Sequence, residues 1–328
     1  MSSPTRATEA PAAPPAQDLP EERIEAVPVR HLGRLAAAVL ALLAVGGTVW
    51  SLAKNPNLHW DVVAGHLFDT TVLDGLLTTA WLTAAAMAVG VAGGVVLAVM
   101  RLSPNPVLYG LSSLFVWLFR GTPLLVQIIF WGFFGALYKH VMIGIPFTHV
   151  TFASWPTNSV IGATTAALLA LGLNEAAYAS EIVRAGIQSV DPGQAEAAHS
   201  LGMSPALTMR RIVLPQAMRV IIPPMGNETI NMLKTTALVS VISAHEMLFA
   251  VQEIYAQNYQ VIPLLVVASF WYLALTTVLG IPQAWLERRY GRGTSARPSA
   301  LRRLLGADLS LAGLRRTLPV TDRPKDSA

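Results

Sequence analysis

The sequence predicts an all-α integral membrane protein, and three observations carry that prediction. First, of 328 residues 53% are apolar and only 13% charged, with a mean hydropathy of +0.50. A soluble protein carries about 25% charged residues. Second, four uncharged runs stand out: Leu35–Ala53, Gly75–Met100, Gly121–Tyr138 and Ile254–Leu286, of 19, 26, 18 and 33 residues. About 20 apolar residues in a helix cross a hydrocarbon core about 30 Å thick. Third, the alternation of a β-barrel is absent, so the spans are helices, which satisfy their own backbone in lipid.

The elements follow in order. Residues 1–33 are rich in Ala, Pro and Ser and mix both charges, so they cannot bury enough apolar surface and read as a disordered cytoplasmic tail. Six spans follow at about 34–53, 75–100, 112–138, 158–182, 219–243 and 262–286. The third is awkward. Apolar sequence from Val107 to Tyr138 would extend about 48 Å as one helix, so a break is expected at its Arg120-Gly121-Thr122-Pro123. The part before that break is expected near the interface. The fifth span is poorly apolar, with Pro223, Pro224, Asn227, Glu228, Asn231 and Lys234, and needs protein or water on its polar side. Residues 287–328 form a basic cytoplasmic tail with ten Lys/Arg against four Asp/Glu.

Charge sets the orientation. With a cytoplasmic N-terminus, the inside segments 1–34, 101–111, 183–218 and 287–328 hold eighteen of the 23 Lys/Arg, and the outside ones hold only Lys54 and Lys139. A multi-pass cell-membrane protein with both termini in the cytoplasm is expected. The basic tail, with Arg288, Arg289, Arg292, Arg302 and Arg303, suits anionic membrane lipid. Nucleic acid is excluded as a partner, since no aromatic-interleaved basic patch accompanies those arginines. The absence of cysteine excludes disulfides, thiolate metal sites and a cysteine nucleophile. The seven histidines are scattered without metal-ligand spacing, and no catalytic constellation is visible, so neither metal nor enzyme chemistry is expected.

The inside segment 183–218 is the most informative. Asp191-Pro192-Gly193 starts a short helix over Ala195–Leu201, Gly202 and Ser204-Pro205 stop it and start a second, and Pro215 bends the chain towards span five. Such a helix–Gly–helix element suits either a docking knob or a merely solvated loop. Its spacing is specific: Glu196-Ala197-Ala198, three residues, Gly202, nine residues, Ile212, one residue, Leu214-Pro215. This resembles the EAA motif of ABC importer permeases. Arg120-Gly121-Thr122-Pro123-Leu124-Leu125-Val126-Gln127, and Ala177 to Ile187 followed by Gly193-Gln194, are similar to signatures of the polar amino acid uptake subfamily. Gly75-Leu76-Leu77-Thr78-Thr79 is similar to the opening of its domain. Where that family commonly has Leu-Lys-Asp-Thr-Ser-Leu, this chain has Leu233-Lys234-Thr235-Thr236-Ala237-Leu238.

The resemblance spans about 72–286 and implies a five-helix type-1 ABC importer permease core plus one extra N-terminal transmembrane helix. It implies a pore-forming subunit importing a polar amino acid, not an enzyme, with ATP and Mg2+ held by a partner ABC ATP-binding subunit. It also implies an extracytoplasmic substrate-binding protein and a second permease copy or homologous permease. The chain itself lacks Gly-x-x-x-x-Gly-Lys-Ser/Thr, which agrees with a subunit powered in trans and binding no cofactor. A stand-alone secondary transporter or channel is the alternative, but no internal repeat supports it. Docking to the ATPase would fall to Glu196, Ala197, Ala198, Gly202, Ile212, Leu214 and Pro215.

Candidate substrate-path residues are the polar ones within spans: Asn174, Glu175, Glu228, Asn231 and Lys234. A structural ion pair, such as Glu228 with Lys234, is the competing reading. Glu181 and Arg184 are expected to pair locally at i, i+3. Arg120, Gly121, Thr122 and Pro123 are read as a hinge, with a gate charge or a snorkelling arginine as the other options for Arg120. Gly90 and Gly94 are expected to be helix-packing contacts.

Overall fold

The structure, a computed structural model, describes residues 32–145 and 151–290. Most of the expected N-terminal tail and of the basic tail lies outside the described residues. The chain divides into two units, Met1–Asn57 and Leu58–Ala328. The described part of the first is α1 (Leu32–Lys54), whose residues from Ala36 onward are exposed along all faces, with Lys54 Nζ 5.3 Å from the Trp50 ring centroid. An apolar helix with no buried face is suited to lipid on every side.

The second unit begins with a 3₁₀ turn (Pro56–Leu58 spans its start) and α2 (Trp60–His66). Asp69 then caps α3 (Thr70–Leu102), its carboxylate accepting from Thr71 N at 2.9 Å. Asn105 does the same for α4 (Pro106–Gly121), accepting from Val107 N at 2.9 Å, with Pro106 in the first turn where its missing N–H costs nothing. The expected break falls at Thr122-Pro123: α4 and α5 (Leu124–Gly132) meet at 100°. Span three is therefore not one helix over 112–138. It ends early, with a further interruption at Phe133 before α6 (Phe134–Leu137).

Two antiparallel strands follow, β1 (His140–Gly144) and β2 (Thr151–Pro156), paired from His140 opposite Pro156. They were not expected. Both are almost wholly exposed, so no apolar alternation marks them. After α7 (Thr157–Val160), α8 (Ala163–Gln188) runs along α3. The contact depends on small residues: a Cβ on Gly94 would lie 2.6 Å from Ala179 Cβ and 2.9 Å from Ser180 N, and one on Gly172 would lie 2.9 Å from Val89. Gly90 and Gly94 thus pack as expected.

The inside segment folds as α9 (Pro192–Ser200), α10 (Pro205–Thr208), a π turn (Met209–Val213) and α11 (Leu214–Thr235). This corrects one expectation. Pro215 does not bend the chain away, because the π turn preceding it, with Leu214 N–H donating to Met209 O, absorbs the altered bonding and Pro205–Ile242 stays one helical run. Within α11, Gln283 Nε2 donates to Pro223 O at 2.8 Å, through space left by Gly226, where a Cβ would meet Gln283 Oε1 at 1.7 Å. The α-helix ends at Thr235 and continues as a 3₁₀ segment, Thr236–Ile242, to a left-handed Ser243 (φ 58°). Span five is thus only partly α-helical. α12 (Met247–Asn258), bent 45° from that run, and α13 (Val261–Tyr290) are separated by left-handed Tyr259 (φ 59°), which splits the long uncharged run after Ile254.

Among the described residues four helices are long and apolar enough to cross a membrane, and counting each of the two bent pairs as one span raises the number to six. Three apolar clusters bind the second unit. Leu82, Met87, Ile128, Leu171 and Val239 join α3, α5 and α8 to the 3₁₀ segment; Val72, Met247, Val251 and Leu264 join α3, α12 and α13; Ala98, Val183, Ala217 and Ile221 join α3, α8 and α11.

Replacing Gly94 with Leu is expected to cost about 1–3 kcal/mol by overpacking the α3–α8 contact, lowering the apparent Tm of the detergent-purified complex by several degrees. Gly110→Leu, at a position where a Cβ meets nothing within 4 Å, is expected to shift it little. Thermal scanning of both variants checks the pair.

Candidate functional site

The 100° break exposes carbonyls that α4 would otherwise have bonded, and lipid cannot satisfy them. Two amides do so instead. Gln127, nearly buried, donates from Nε2 to Phe119 O (2.9 Å), Thr122 O (3.2 Å) and Thr122 Oγ1 (2.8 Å). Asn174 of α8 donates from Nδ2 to Phe119 O (3.0 Å) and to Gln127 Oε1 (3.2 Å). Thr122 Oγ1 donates back to Leu118 O at 2.9 Å. The break is therefore bridged by side-chain hydrogen bonds to the Phe119 and Thr122 carbonyls, and the Asn174 amide nitrogen is engaged there.

Arg120, at the end of α4, joins a charged cluster on α8. Glu181 accepts from Arg184 Nε (3.0 Å) and Nη2 (2.7 Å), the expected i, i+3 pair. It also accepts from Arg101 at the end of α3, a partner that sequence spacing alone does not reveal. Arg120 Nη1 stands 3.4 Å from the same Glu181 Oε1 and its guanidinium 5.1 Å from the Tyr178 ring centroid. Arg184 Nη1 donates onward to Gln188 Oε1 at 2.6 Å.

Glu175 is next to Asn174 but faces α3. Its side chain fills the space over Gly90, where a Cβ would lie 2.3 Å from Glu175 Cγ. It is 3% exposed, and its Oε1 has no hydrogen-bond partner among the described residues. Glu228 of α11 lies within electrostatic reach of it. Glu228 is half-buried, while Asn231 and Lys234 are exposed. Among the described residues no ion pair joins Glu228 to Lys234. The structure thus leaves Glu175 within electrostatic reach of Glu228 and puts Asn174 in a different polar group. An apolar cleft of ≈ 840 Å³, lined among others by Val95, Val99, Val183, Leu214, Met218 and Met225, includes none of these five residues.

The segment 191–215 forms a small self-contained unit. Asp191 Oδ1 accepts from Gly193 N at 2.7 Å and caps α9. At the other end Gly202 N donates to His199 O (2.9 Å) and Met203 N to Ala198 O (3.1 Å), the paired bonds of a Schellman stop. Gly202 supplies the positive φ, +77°, that this stop requires. Glu196 and Ala197 are exposed, Ala198 is buried beneath them, Ile212 is half-buried, and Leu214 and Pro215 are exposed. The unit presents an outer surface that carries two exposed acidic residues, Asp191 and Glu196.

One polar group escaped sequence reading. Glu246 is fully buried, accepts from Leu248 N (3.0 Å), Phe249 N (2.8 Å) and Tyr272 Oη (2.7 Å), and so ties α12 to α13. Thr79 Oγ1 of α3 accepts from Met247 N at 3.0 Å beside it. Its signal was an acid just before an apolar helical run, the position of an N-cap.

Residues 90–292 match the family described as binding-protein-dependent transport system inner membrane component. The arginine transport system permease protein ArgU of Corynebacterium glutamicum is 42% identical over 303 residues, covering 92% of this chain and 94% of that relative. The L-cystine transport system permease protein TcyB of Bacillus subtilis is 36% identical over 245 residues, covering 74% and 95%. A solved structure titled as an amino acid ABC transporter with histidines is 35% identical, with a TM-score of 0.57 over 67% of this chain and 94% of that one. The chain belongs to the binding-protein-dependent transport system inner membrane components and is a multi-pass permease subunit of an amino-acid ABC importer.

Proposed function

We propose that this permease imports a cationic amino acid of the arginine class. The observation that carries the reading is Glu175: a carboxyl buried against α3, with one oxygen unpartnered among the described residues and a second carboxyl, Glu228, nearby. An isolated buried acid is costly unless a cation approaches it. A guanidinium or ammonium side chain supplies that cation and bonds the free oxygen. Lys234 supports the substrate α-carboxylate, and Asn231 lies between them on α11 in sequence. The 42% identity to an arginine transport permease supports the same substrate class.

The docking surface for the ATP-binding subunit is Glu196, Ala197, Ala198, Gly202, Ile212, Leu214 and Pro215, on the cytoplasmic face, with ATP and Mg2+ held by that partner. The distribution of basic residues supports the orientation, with both termini inside. A substrate-binding protein delivers the amino acid from outside, and a second permease completes the pore. Closure of the partner ATPases moves the docked units and switches the helices between two packings.

Two outcomes test the reading. In proteoliposomes holding the whole importer, Glu175→Gln is expected to lower arginine uptake about 10- to 100-fold while sparing ATPase assembly. Equal loss for every amino acid, in proportion to the protein present, would reduce Glu175 to a packing residue. Gly202→Val strains the left-handed stop by about 1–2 kcal/mol and deforms the knob. Co-purification of the ATP-binding subunit is expected to fail while the permease still reaches the membrane, and intact co-purification sinks the docking assignment.

A further inference from the structure

Arg120 sits at the end of α4, yet its partners are on α8. Three guanidinium groups converge on the Glu181 carboxylate, two of them tightly: Arg101, and Arg184 through bonds of 2.7 and 3.0 Å. The third, Arg120, stands 3.4 Å away with its side chain 42% exposed, against 18% and 30% for the other two. Three positive charges on one negative leave an excess, and the least buried, most distant cation is the first to be released. Release is inexpensive on both sides. Glu181 keeps two arginines, and Arg120 keeps the face of Tyr178, which holds a guanidinium without a counter-charge.

The surrounding chain is built to convert that release into movement. Arg120 is followed by Gly121, where a Cβ would meet nothing within 4 Å, and then by extended Thr122 and Pro123. On the far side of this elbow, Gln127 and Asn174 hold the carbonyls of Phe119 and Thr122 through neutral, more buried hydrogen bonds. The α4–α8 junction therefore has a neutral pivot and a charged contact close to solvent. α8 itself runs on through Ser189–Asp191 into α9, the docking unit, and the polar chain from Gln188 through Arg184 to Glu181 follows its last turns.

We propose that the Arg120–Glu181 contact is a releasable latch that passes displacement of the α9 docking unit, along α8, to the α4–α5 elbow. Arg120 is a positioning residue for transport: it touches neither substrate nor ATP. The inference rests on α9 being the docking unit for the ATP-binding subunit. What it adds is the second end of the coupling path, an element about seventy residues earlier in the chain, together with the side chain that connects them.

The test uses the whole importer in proteoliposomes and reads amino acid transported per ATP hydrolysed. Arg120→Gln is expected to raise ATP consumption per transported amino acid by at least about threefold, since loss of one coupling contact shifts such an equilibrium by that order. Arg120→Lys, which keeps the charge without the planar stacking surface, is expected to fall between. Tyr178→Phe keeps the ring and is expected to behave as wild type. The chain has no cysteine, so spin labels at Gly110→Cys on α4 and Ala185→Cys on α8 report directly the separation of α8 from the α4 arm of the elbow. The wild-type distance is expected to change on addition of ATP, and the Arg120→Gln distance to remain fixed.

Unchanged stoichiometry and an unchanged ATP-dependent distance in both Arg120 variants would overturn the latch. If Arg120→Gln fails to reach the membrane, the Lys variant decides: wild-type values in both readouts overturn the proposal, intermediate ones support it. Failure of the wild-type permease to retain the ATP-binding subunit overturns the docking assignment instead, and the latch with it.

Discussion

The contact on which the rest of this permease depends is the close packing of α3 against α8. Between helices surrounded by lipid, burying apolar surface gains little, and association comes from packing and hydrogen bonds. Gly90, Gly94 and Gly172 allow backbones and side chains to approach where any Cβ would collide. Three of the polar contacts in the second unit are arranged about that pair. Glu175 fills the Gly90 notch, Arg101 reaches Glu181 across the seam, and Asn174 turns from the opposite side of α8 to the α4–α5 break.

The same pair explains how one helix serves several purposes. Adjacent residues in a helix point about 100° apart. Asn174 and Glu175 therefore face different neighbours, one engaged in holding the break and the other left with a free oxygen. Tyr178 and Glu181, four and seven residues on from Asn174, continue its stripe and receive Arg120. α8 separates its roles by face, not by segment.

Much of this was legible in the sequence because lipid imposes simple rules. Uninterrupted apolar length gave away α1, α3 and α13, and the excess length of Val107–Tyr138 required the break at Thr122-Pro123. Asp191-Pro192-Gly193 and Gly202 marked both ends of α9, since cap and stop are local chemistry. What escaped depends on neighbours distant in sequence. Arg101 gives no sign of meeting Glu181, nor Gln283 of bonding Pro223 O. The β1–β2 pair is too exposed to carry alternation, and the π turn before Pro215 reflects a compromise that no residue type announces. The candidate substrate residues were legible as polar residues in spans, but their sorting into Glu175 with Glu228 and Asn174 with Gln127 depends on how α8 packs against α5 and α11. A stand-alone secondary transporter or channel, the alternative reading, leaves the spacing from Glu196 to Pro215 unexplained, and membership of the binding-protein-dependent importers replaces it.

The hydrogen bonds that shape α9 all close within its own neighbourhood, from the Asp191 cap to the Gly202 stop, with His199 Nδ1 lying 3.2 Å from Met203 O. Its outer surface is consequently formed before any partner arrives. Binding such a surface requires no chain ordering at the moment of encounter, which removes one of the largest entropic penalties of association. On the proposed docking, the partner would meet a finished shape, and free energy released on contact would remain available to hold the complex together through repeated cycles of force.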